Sequence, residues 1–146
     1  MPNISFFVPG VPVPQGSKVY GVRKDGTAYG RESAKGFAPW RRKVREAAEA
    51  ALMASDEWEA GYDGPVQLVA AFTFPPIAAK RFWKTSAPDI DKCVRLIADA
   101  LTQAGVYKDD ARVVHLEASK IHGTTSGVTI HVGTLDLHPI ERANAA

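Results

Sequence analysis

Cysteine and long apolar stretches are scarce in this sequence. Cys93 is the single cysteine among 146 residues, which excludes an internal disulfide and a metal cluster built from thiolates. No run of about eighteen apolar residues occurs, so the sequence offers no transmembrane helix. The first residues, MPNISFFVPG, lack the basic start and the long apolar stretch of a secretory signal peptide. We therefore expect a cytoplasmic protein without a membrane partner.

Internal repeats and low-complexity segments are likewise missing. The chain is 45% hydrophobic and 23% charged, a composition typical of a globular protein. Its length is that of one domain with an ordinary hydrophobic core. We therefore expect residues 1–146 to form a single domain.

Charge of both signs is present but unevenly spread, although the formal net charge is only +2. Residues 1–54 carry nine Lys and Arg against four Asp and Glu, whereas residues 55–146 carry nine against twelve. A basic part beside an acidic part suits a protein that binds a polyanion and also holds cations. Many globular domains are equally uneven, so this distribution does not decide the function.

The hydrophobic pattern predicts alternating strands and helices. Apolar residues at helical spacing, such as Val44 and Ile97, predict helices at 39–54 and between residues 89 and 105. Strands are predicted at 4–10, 65–74, 111–122 and 128–137, and a hairpin turn is predicted at 25–26 within the long basic segment 11–38.

This order of elements indicates an α/β (α+β) fold. We expect a mixed β-sheet with the two main helices packed mainly on one face. The last two strands, 111–122 and 128–137, are expected to pair as a C-terminal β-hairpin through the turn GTTSG. The tail from His138 is expected to be frayed.

Five aspartates fall within the 23 residues PDIDKCVRLIADALTQAGVYKDD. Asp89 and Asp91 precede the second helix, and Asp109 and Asp110 follow it. A helix of roughly 13 residues spans about 20 Å, but the return through GVYK brings the second pair toward the first. Carboxylates gathered in this way attract a divalent cation, and oxygen ligands without His or Cys favour Mg²⁺ or Mn²⁺ over Zn²⁺.

The helix between the acids carries a polar stripe. Asp91, Arg95 and Asp99 are spaced four residues apart and therefore lie on one side of it, with Lys92 beside them. A cation one turn from a carboxylate metal site is well placed to hold a phosphate or a developing oxyanion.

Ordinary structural roles explain the same acids equally well. Asp89 and Asp91 also suit the capping of a helix, and Asp91 with Arg95 suits a surface ion pair worth about 0.3 kcal/mol. The Asp109–Asp110 pair also suits a turn before a strand. The spacing of the acids does not choose between these roles and a metal site.

Together, however, these motifs resemble one family, the RusA-type Holliday junction resolvases. Its members carry a pattern of Pro-Asp-x-Asp-Asn, a helix with Asp-Ala-Leu, Gly-Val-aromatic, Asp-Asp, and a strand that ends near Lys. The N-terminal GVPVPQGSK is similar to the family's Gly-x-Pro opening before a basic loop. The corresponding stretches here are PDIDK at 88–92, DAL at 99–101, GVY at 105–107, DD at 109–110, and Lys120.

The resemblance implies a homodimeric, Mg²⁺-dependent endonuclease that nicks opposed strands of four-way DNA junctions during recombination and repair. By motif position, the metal-binding carboxylates are expected at Asp89, Asp91 and Asp110. Asp109 and Asp99 are expected to lie outside the ligand set and to orient these ligands or a metal-bound water by hydrogen bonds.

Two positions depart from the family pattern. The family's catalytic lysine falls on Arg95, which keeps the positive charge but does not readily release a proton. The family's Asn is Lys92 here. These departures leave open an alternative in which the protein binds junctions with little or no catalysis.

A third interpretation is a phosphotransferase or phosphatase of the Asp-x-Asp type. It needs a strand that runs directly into the acids and a Thr two residues beyond them. Here Ser86, Ala87 and Pro88 precede the acids, and Cys93 stands where the Thr is needed. We rank this interpretation last.

The basic segments are expected to contact DNA phosphates. Phe82 and Trp83 interleave with the cations before Asp89, and they suit either stacking on opened bases or packing in the core or a dimer contact. The expected phosphate-binding residues are Lys18, Arg23, Lys24, Lys80, Arg81, Lys84 and Lys92.

Overall fold

A computed structural model describes residues 1–16, 18–32, 36–136 and 138–145 of the chain. The predicted strands and main helices are all found, with their ends shifted by a few residues. The elements are β1 (Asn3–Pro9), β2 (Lys18–Val22), β3 (Ala28–Glu32), α1 (Phe37–Ala54), β4 (Val66–Phe74), α2 (Ile90–Ala104), a 3₁₀ turn (Asp110–Arg112), β5 (Val113–His122), β6 (Gly127–Thr134) and α3 (Pro139–Ala145).

Four strands form one mixed sheet in the order β1-β6-β4-β5. β4 is parallel to β5 and antiparallel to β6, and β6 is antiparallel to β1. The sequence of β4, VQLVAAFTF, suits its central position because its apolar residues alternate between fully and partly buried sites. The predicted mixed sheet is confirmed.

The predicted C-terminal β-hairpin is wrong, because β4 lies between β5 and β6. β4 is buried and needs hydrogen-bond partners on both of its sides, whereas β5 is mostly exposed and suits an edge of the sheet. After His122 the chain therefore crosses the end of β4, where the Gly123 N–H donates to the Phe74 carbonyl at 2.8 Å. GTTSG does reverse the chain, but it joins strands that are not neighbours.

Helices α1 and α2 pack on one face of the sheet, as predicted. Trp40 and Val44 of α1 and Ile97 and Leu101 of α2 are buried in one core with Leu68 of β4. Full burial of a side chain such as Leu101 contributes about 1.5–3 kcal/mol of stability. This apolar face fixes α2 against the sheet and leaves its polar stripe on the other side.

The hairpin predicted at 25–26 is confirmed. β2 and β3 pair with each other as a second, two-stranded sheet. Asp25 stabilises the turn, because its Oδ1 accepts hydrogen bonds from the Thr27 N–H at 3.0 Å and the Thr27 hydroxyl at 2.7 Å. This basic hairpin therefore lies outside the main sheet.

The tail beyond His138 forms the short helix α3, where a frayed end was expected. Pro139 suits the first turn of a helix, and the Glu141 carboxylate accepts a hydrogen bond from the His138 N–H at 2.9 Å. No helix in the described ranges is long and apolar enough to cross a membrane.

Candidate active site

Asp89 stands at the start of α2 without capping it. It occupies the N-cap position with an extended backbone, yet its side chain accepts no hydrogen bond from the helix. Its Oδ2 lies 3.6 Å from the Lys92 ammonium, and two thirds of the side chain is exposed. Asp91 follows in the first turn and is also exposed. The capping role is therefore not realised by Asp89, whose carboxylate remains accessible.

Lys120 fixes the segment that leads into Asp89. It lies on β5 opposite Phe72, and its ammonium donates hydrogen bonds to the carbonyl oxygens of Pro88 at 2.6 Å and Ser86 at 2.9 Å. The sequence marked Lys120 only as the end of a motif. Ala118 and Lys120 are two residues apart on β5 and therefore share a face, opposite Ala70 and Phe72, which was the available signal that Lys120 faces the helices.

Cys93 does not contribute to the site chemistry. Its side chain is fully buried beneath the first turn of α2. Burial raises the pKa of the thiol to about 11, so the thiol stays protonated at neutral pH. The site therefore has neither a thiolate nucleophile nor a soft metal ligand at this position.

The chain turns back sharply after α2 and returns alongside it. Gly105 ends the helix in the left-handed region, with φ of 82°, which glycine adopts without strain. The Val106 N–H then donates to the Leu101 carbonyl at 3.0 Å, and the buried Tyr107 hydroxyl donates to the Ala98 carbonyl at 2.9 Å. These bonds bring the next residues beside the third turn of α2.

The two aspartates after this return have different roles. Asp109 caps the 3₁₀ turn, since its carboxylate accepts the Ala111 N–H at 2.7 Å, and this bond lowers its pKa. Asp110 instead lies close to the carboxylates of Asp109 and Asp99. Partial burial and these two neighbours raise the pKa of Asp110. The turn interpretation therefore holds for Asp109 but does not account for Asp110.

Asp99 is held by a residue that the sequence pattern did not indicate. Gln15 is buried, and its amide donates to the Asp99 carboxylate at 2.6 Å. The Gln15 carbonyl oxygen accepts a hydrogen bond from Arg41 of α1 at 3.1 Å, and the Gln15 backbone N–H donates to the Lys92 carbonyl at 3.1 Å. No spacing rule connects these residues, because the contacts join three separate segments.

The aspartates thus form two groups along α2. Asp89 and Asp91 lie at its start, whereas Asp110 lies near Asp99. Asp99 is about 12 Å from Asp91 along the helix axis, because an α-helix rises about 1.5 Å per residue. Within the described ranges, no three His, Cys, Asp or Glu side chains are arranged to hold one metal ion. The donors have the chemistry that Mg²⁺ prefers. The structure does not gather Asp89, Asp91 and Asp110 into one ligand set.

Arg95 lies between the two acidic groups. It stands four residues after Asp91 and four before Asp99, so the predicted stripe on α2 is present. The Arg95 side chain is exposed, and it forms neither a hydrogen bond nor an ion pair with the part of the chain that the structure describes. Its guanidinium therefore faces solvent between both pairs of carboxylates.

Some of the expected phosphate-binding cations are exposed. Lys80 and Arg81 lie on the surface in the segment between β4 and α2. Arg23 and Lys24 are exposed in the turn between β2 and β3. Lys18 lies in β2, but its side chain is outside the described residues.

Two other predicted cations already have partners. Lys84 donates to the Ser86 hydroxyl at 3.0 Å and lies 5.0 Å from the centre of the Phe74 ring. Lys92 is paired with Asp89, as described above. Both side chains remain partly exposed, so a phosphate would compete with these contacts.

These observations define a class: a small α+β domain in which one helix carries carboxylates at its start and on its third turn, with exposed cations alongside. The family model described as Endodeoxyribonuclease RusA matches residues 9–133, and the chain belongs to this family. The resemblance inferred from the sequence is thereby confirmed.

A curated relative supports the same assignment. The chain is 33% identical over 70 residues to a protein of Lactococcus phage r1t named "Crossover junction endodeoxyribonuclease rusA". The matched region covers 47% of this chain and 53% of the phage protein. The chain therefore spans about half the length of this relative.

Proposed function

We propose that this protein is a metal-dependent endodeoxyribonuclease that nicks opposed strands of four-way DNA junctions in recombination and repair. The observation that carries this proposal is the RusA family match over residues 9–133, which includes every aspartate of the site. The accessible Asp89 carboxylate, left without a capping bond, also supports a chemical role for this motif.

The cofactor that we propose is Mg²⁺, with Mn²⁺ as a substitute. Asp89, Asp91 and Asp110 would hold it, since all three offer hard oxygen donors on exposed side chains. When bound, a divalent ion lowers the pKa of a water ligand and polarises the phosphate. Because the three carboxylates are not gathered in the structure, we expect substrate or cation to draw them together.

The other roles that we propose belong to side chains near these acids. Arg95, exposed between the two acidic groups, would bind the scissile phosphate and stabilise the charge that develops on it. Lys92 would approach the same phosphate from the first turn. Lys120 holds the backbone before Asp89, and Gln15 holds Asp99, so both act by positioning the acids.

The partners that we propose are branched DNA and a second copy of the chain. Paired cuts on a junction with two-fold symmetry are naturally made by a two-fold symmetric dimer. The exposed cations of the β2–β3 turn and of the segment after β4 would contact the phosphates of the arms.

A second function, junction binding without catalysis, has specific support. Arg95 and Lys92 replace the lysine and asparagine that the family pattern places in the site. The separation of Asp110 from Asp89 and Asp91 points the same way. Binding would then not require a divalent ion.

One assay separates the two functions. A synthetic four-way junction with each strand labelled in turn is incubated with the full chain in Mg²⁺ or in EDTA, and the products are resolved on denaturing gels. A linear duplex of the same sequence is the control. We expect nicks in opposed strands of the junction with Mg²⁺ only. A retarded but uncut junction on a native gel would support the binding protein instead.

A further inference from the structure

Phe82 and Trp83 form an exposed aromatic pair. Their ring centroids are 4.8 Å apart, and the rings meet at 72°, edge to face. Phe82 is 58% exposed and Trp83 is 61% exposed. The core role that the sequence left open is therefore excluded, and both rings offer apolar surface to a partner.

The backbone of this pair is fixed to the edge of the main sheet. The His122 N–H donates to the Phe82 carbonyl at 2.8 Å, and Trp83 forms an antiparallel bridge with Ile121 of β5. The Lys84 N–H donates to the Lys120 carbonyl at 3.1 Å. The rings therefore project from an ordered strand edge and not from a free loop.

The same strand edge connects the aromatic pair to the acidic site. Lys120 accepts the backbone bond from Lys84, and its side chain holds the Pro88 carbonyl next to Asp89. Two short hydrogen-bonded links thus join the backbone beside Trp83 to the first aspartate. A partner seated on the rings would lie at a fixed position relative to Asp89.

Charge indicates which partner fits. Lys80 and Arg81 are exposed immediately before the rings, and Lys84 follows them. In a two-fold contact centred on this patch, the cations of one copy would face those of the other. A polyanion with flat apolar groups complements both features. Nucleic acid has this combination, with phosphates for the cations and bases for the rings.

The nucleic acid must also have unpaired bases where it meets the two rings. Bases inside a duplex are already stacked on their neighbours, so an aromatic side chain gains a base face only where stacking is interrupted. We propose that Phe82 and Trp83 stack on unpaired nucleobases of a DNA strand while Lys80 and Arg81 hold its phosphates. This rests on the proposed function, and it places unpaired bases beside the strand presented to Asp89.

The test uses the full chain in EDTA and two oligonucleotides of equal length and charge, one of thymidines and one with abasic sites. Trp83 is the reporter, because Trp40 and Trp58 are only 5% and 7% exposed. We expect the thymidine strand to shield Trp83 from acrylamide quenching and to bind about 5- to 100-fold more tightly than the abasic strand.

Single substitutions test whether the preference for bases depends on these two rings. Phe82→Ala and Trp83→Ala should each lose most of the preference for bases, whereas Trp83→Phe should keep it. Met53→Ala, which removes a 90% exposed apolar side chain on α1, should leave the preference unchanged. Circular dichroism confirms that each variant is folded.

Equal binding of both strands by the parent, or an unchanged preference in both alanine variants, would overturn the inference. The inference would also be overturned if Trp83→Ala converted a dimer to a monomer in sedimentation with base preference intact, because the partner of the rings would then be a second copy.

The binding assay contains no metal and does not measure cutting. A parent that discriminates bases but cuts no junction supports the stacking site and contradicts the nuclease. A parent that cuts junctions in the separate assay but does not discriminate bases supports the nuclease and contradicts the stacking site.

Discussion

The Lys120 ammonium donates a 2.6 Å hydrogen bond to the carbonyl oxygen of Pro88. This bond ties an edge strand of the sheet to the residue that precedes Asp89. It is accompanied by a second bond to the Ser86 carbonyl at 2.9 Å. The position of the first aspartate therefore depends on a strand that follows it in sequence by some thirty residues.

Removal of this Lys120 bond should impair the proposed reaction more than binding. Lys120→Met leaves two carbonyls without their donor, which costs about 1–3 kcal/mol of stability, and should slow junction cutting about 10-fold or more. Lys120→Arg keeps the donors and should restore part of the rate. Rates are measured against Mg²⁺ concentration, and junction affinity is measured in EDTA. Normal cutting by folded Lys120→Met would show that the bond is not needed.

Gln15 should contribute to the stability of the fold. Gln15→Leu removes the partners of Asp99 and Arg41 in a buried position, so we expect a loss of about 1–3 kcal/mol in the free energy of unfolding. Urea unfolding followed by circular dichroism measures this loss. Gln103→Ala on the exposed side of α2 is the matched control and should change stability little. Equal stability of the Gln15 and Gln103 variants would contradict the role given to Gln15.

Arg95 offers the clearest distinction between two chemical roles. If it only stabilises charge, Arg95→Lys should stay within about tenfold of the parent rate, and Arg95→Ala should lose ~100-fold or more. If proton donation limits the parent, Arg95→Lys should be faster and should change the pH profile of cutting, because lysine releases a proton more readily. Single-turnover cutting of a junction measures both. A parent-like rate for Arg95→Ala would exclude both roles and make Lys92 the next residue to test.

The exposed cations after β4 should determine the salt dependence of binding. Replacing Lys80 and Arg81 with Ala should weaken junction binding and reduce the log–log slope against salt by about 0.9 for each phosphate that the variant no longer neutralises. Replacing Lys84 as well should reduce the slope further only if DNA displaces its bond to Ser86. Lys108→Ala, whose ammonium pairs with Asp63 at 3.5 Å, is the control. An unchanged slope in the double variant would show that these cations do not touch phosphate.

Much of the fold was predictable because it follows local rules. The apolar spacing of Ile97 and Leu101 and the glycine at Gly105 were sufficient to predict α2 and its end. The pairing of β5 with β4 was not predictable, because it depends on which strand needs two neighbours. A turn sequence between β5 and β6 carries no information on a third strand that lies between them.

The candidate site likewise combines features that the sequence could predict with features that it could not. Its aspartates were found because they are close in sequence and match a family pattern. The different settings of Asp109 and Asp110 depend on the hydrogen bond from Ala111 to Asp109 and on the closeness of Asp110 to Asp99, which adjacent identical residues do not reveal. Gln15 was missed because its partners lie on α1 and α2, and only the packing of the helices brings them together.

The most direct test of the proposed site is junction nicking in Mg²⁺ by Asp89→Asn and Asp110→Asn, with Asp109→Asn as the matched control. Asparagine keeps the shape of aspartate but removes its charge, and it can still cap the 3₁₀ turn at position 109. We predict a loss of about 100-fold or more in cutting by the first two variants, with junction binding in EDTA equal to or tighter than that of the parent. We also predict only a small change for Asp109→Asn. Full cutting by Asp89→Asn or Asp110→Asn would contradict the assignment of these carboxylates to the active site.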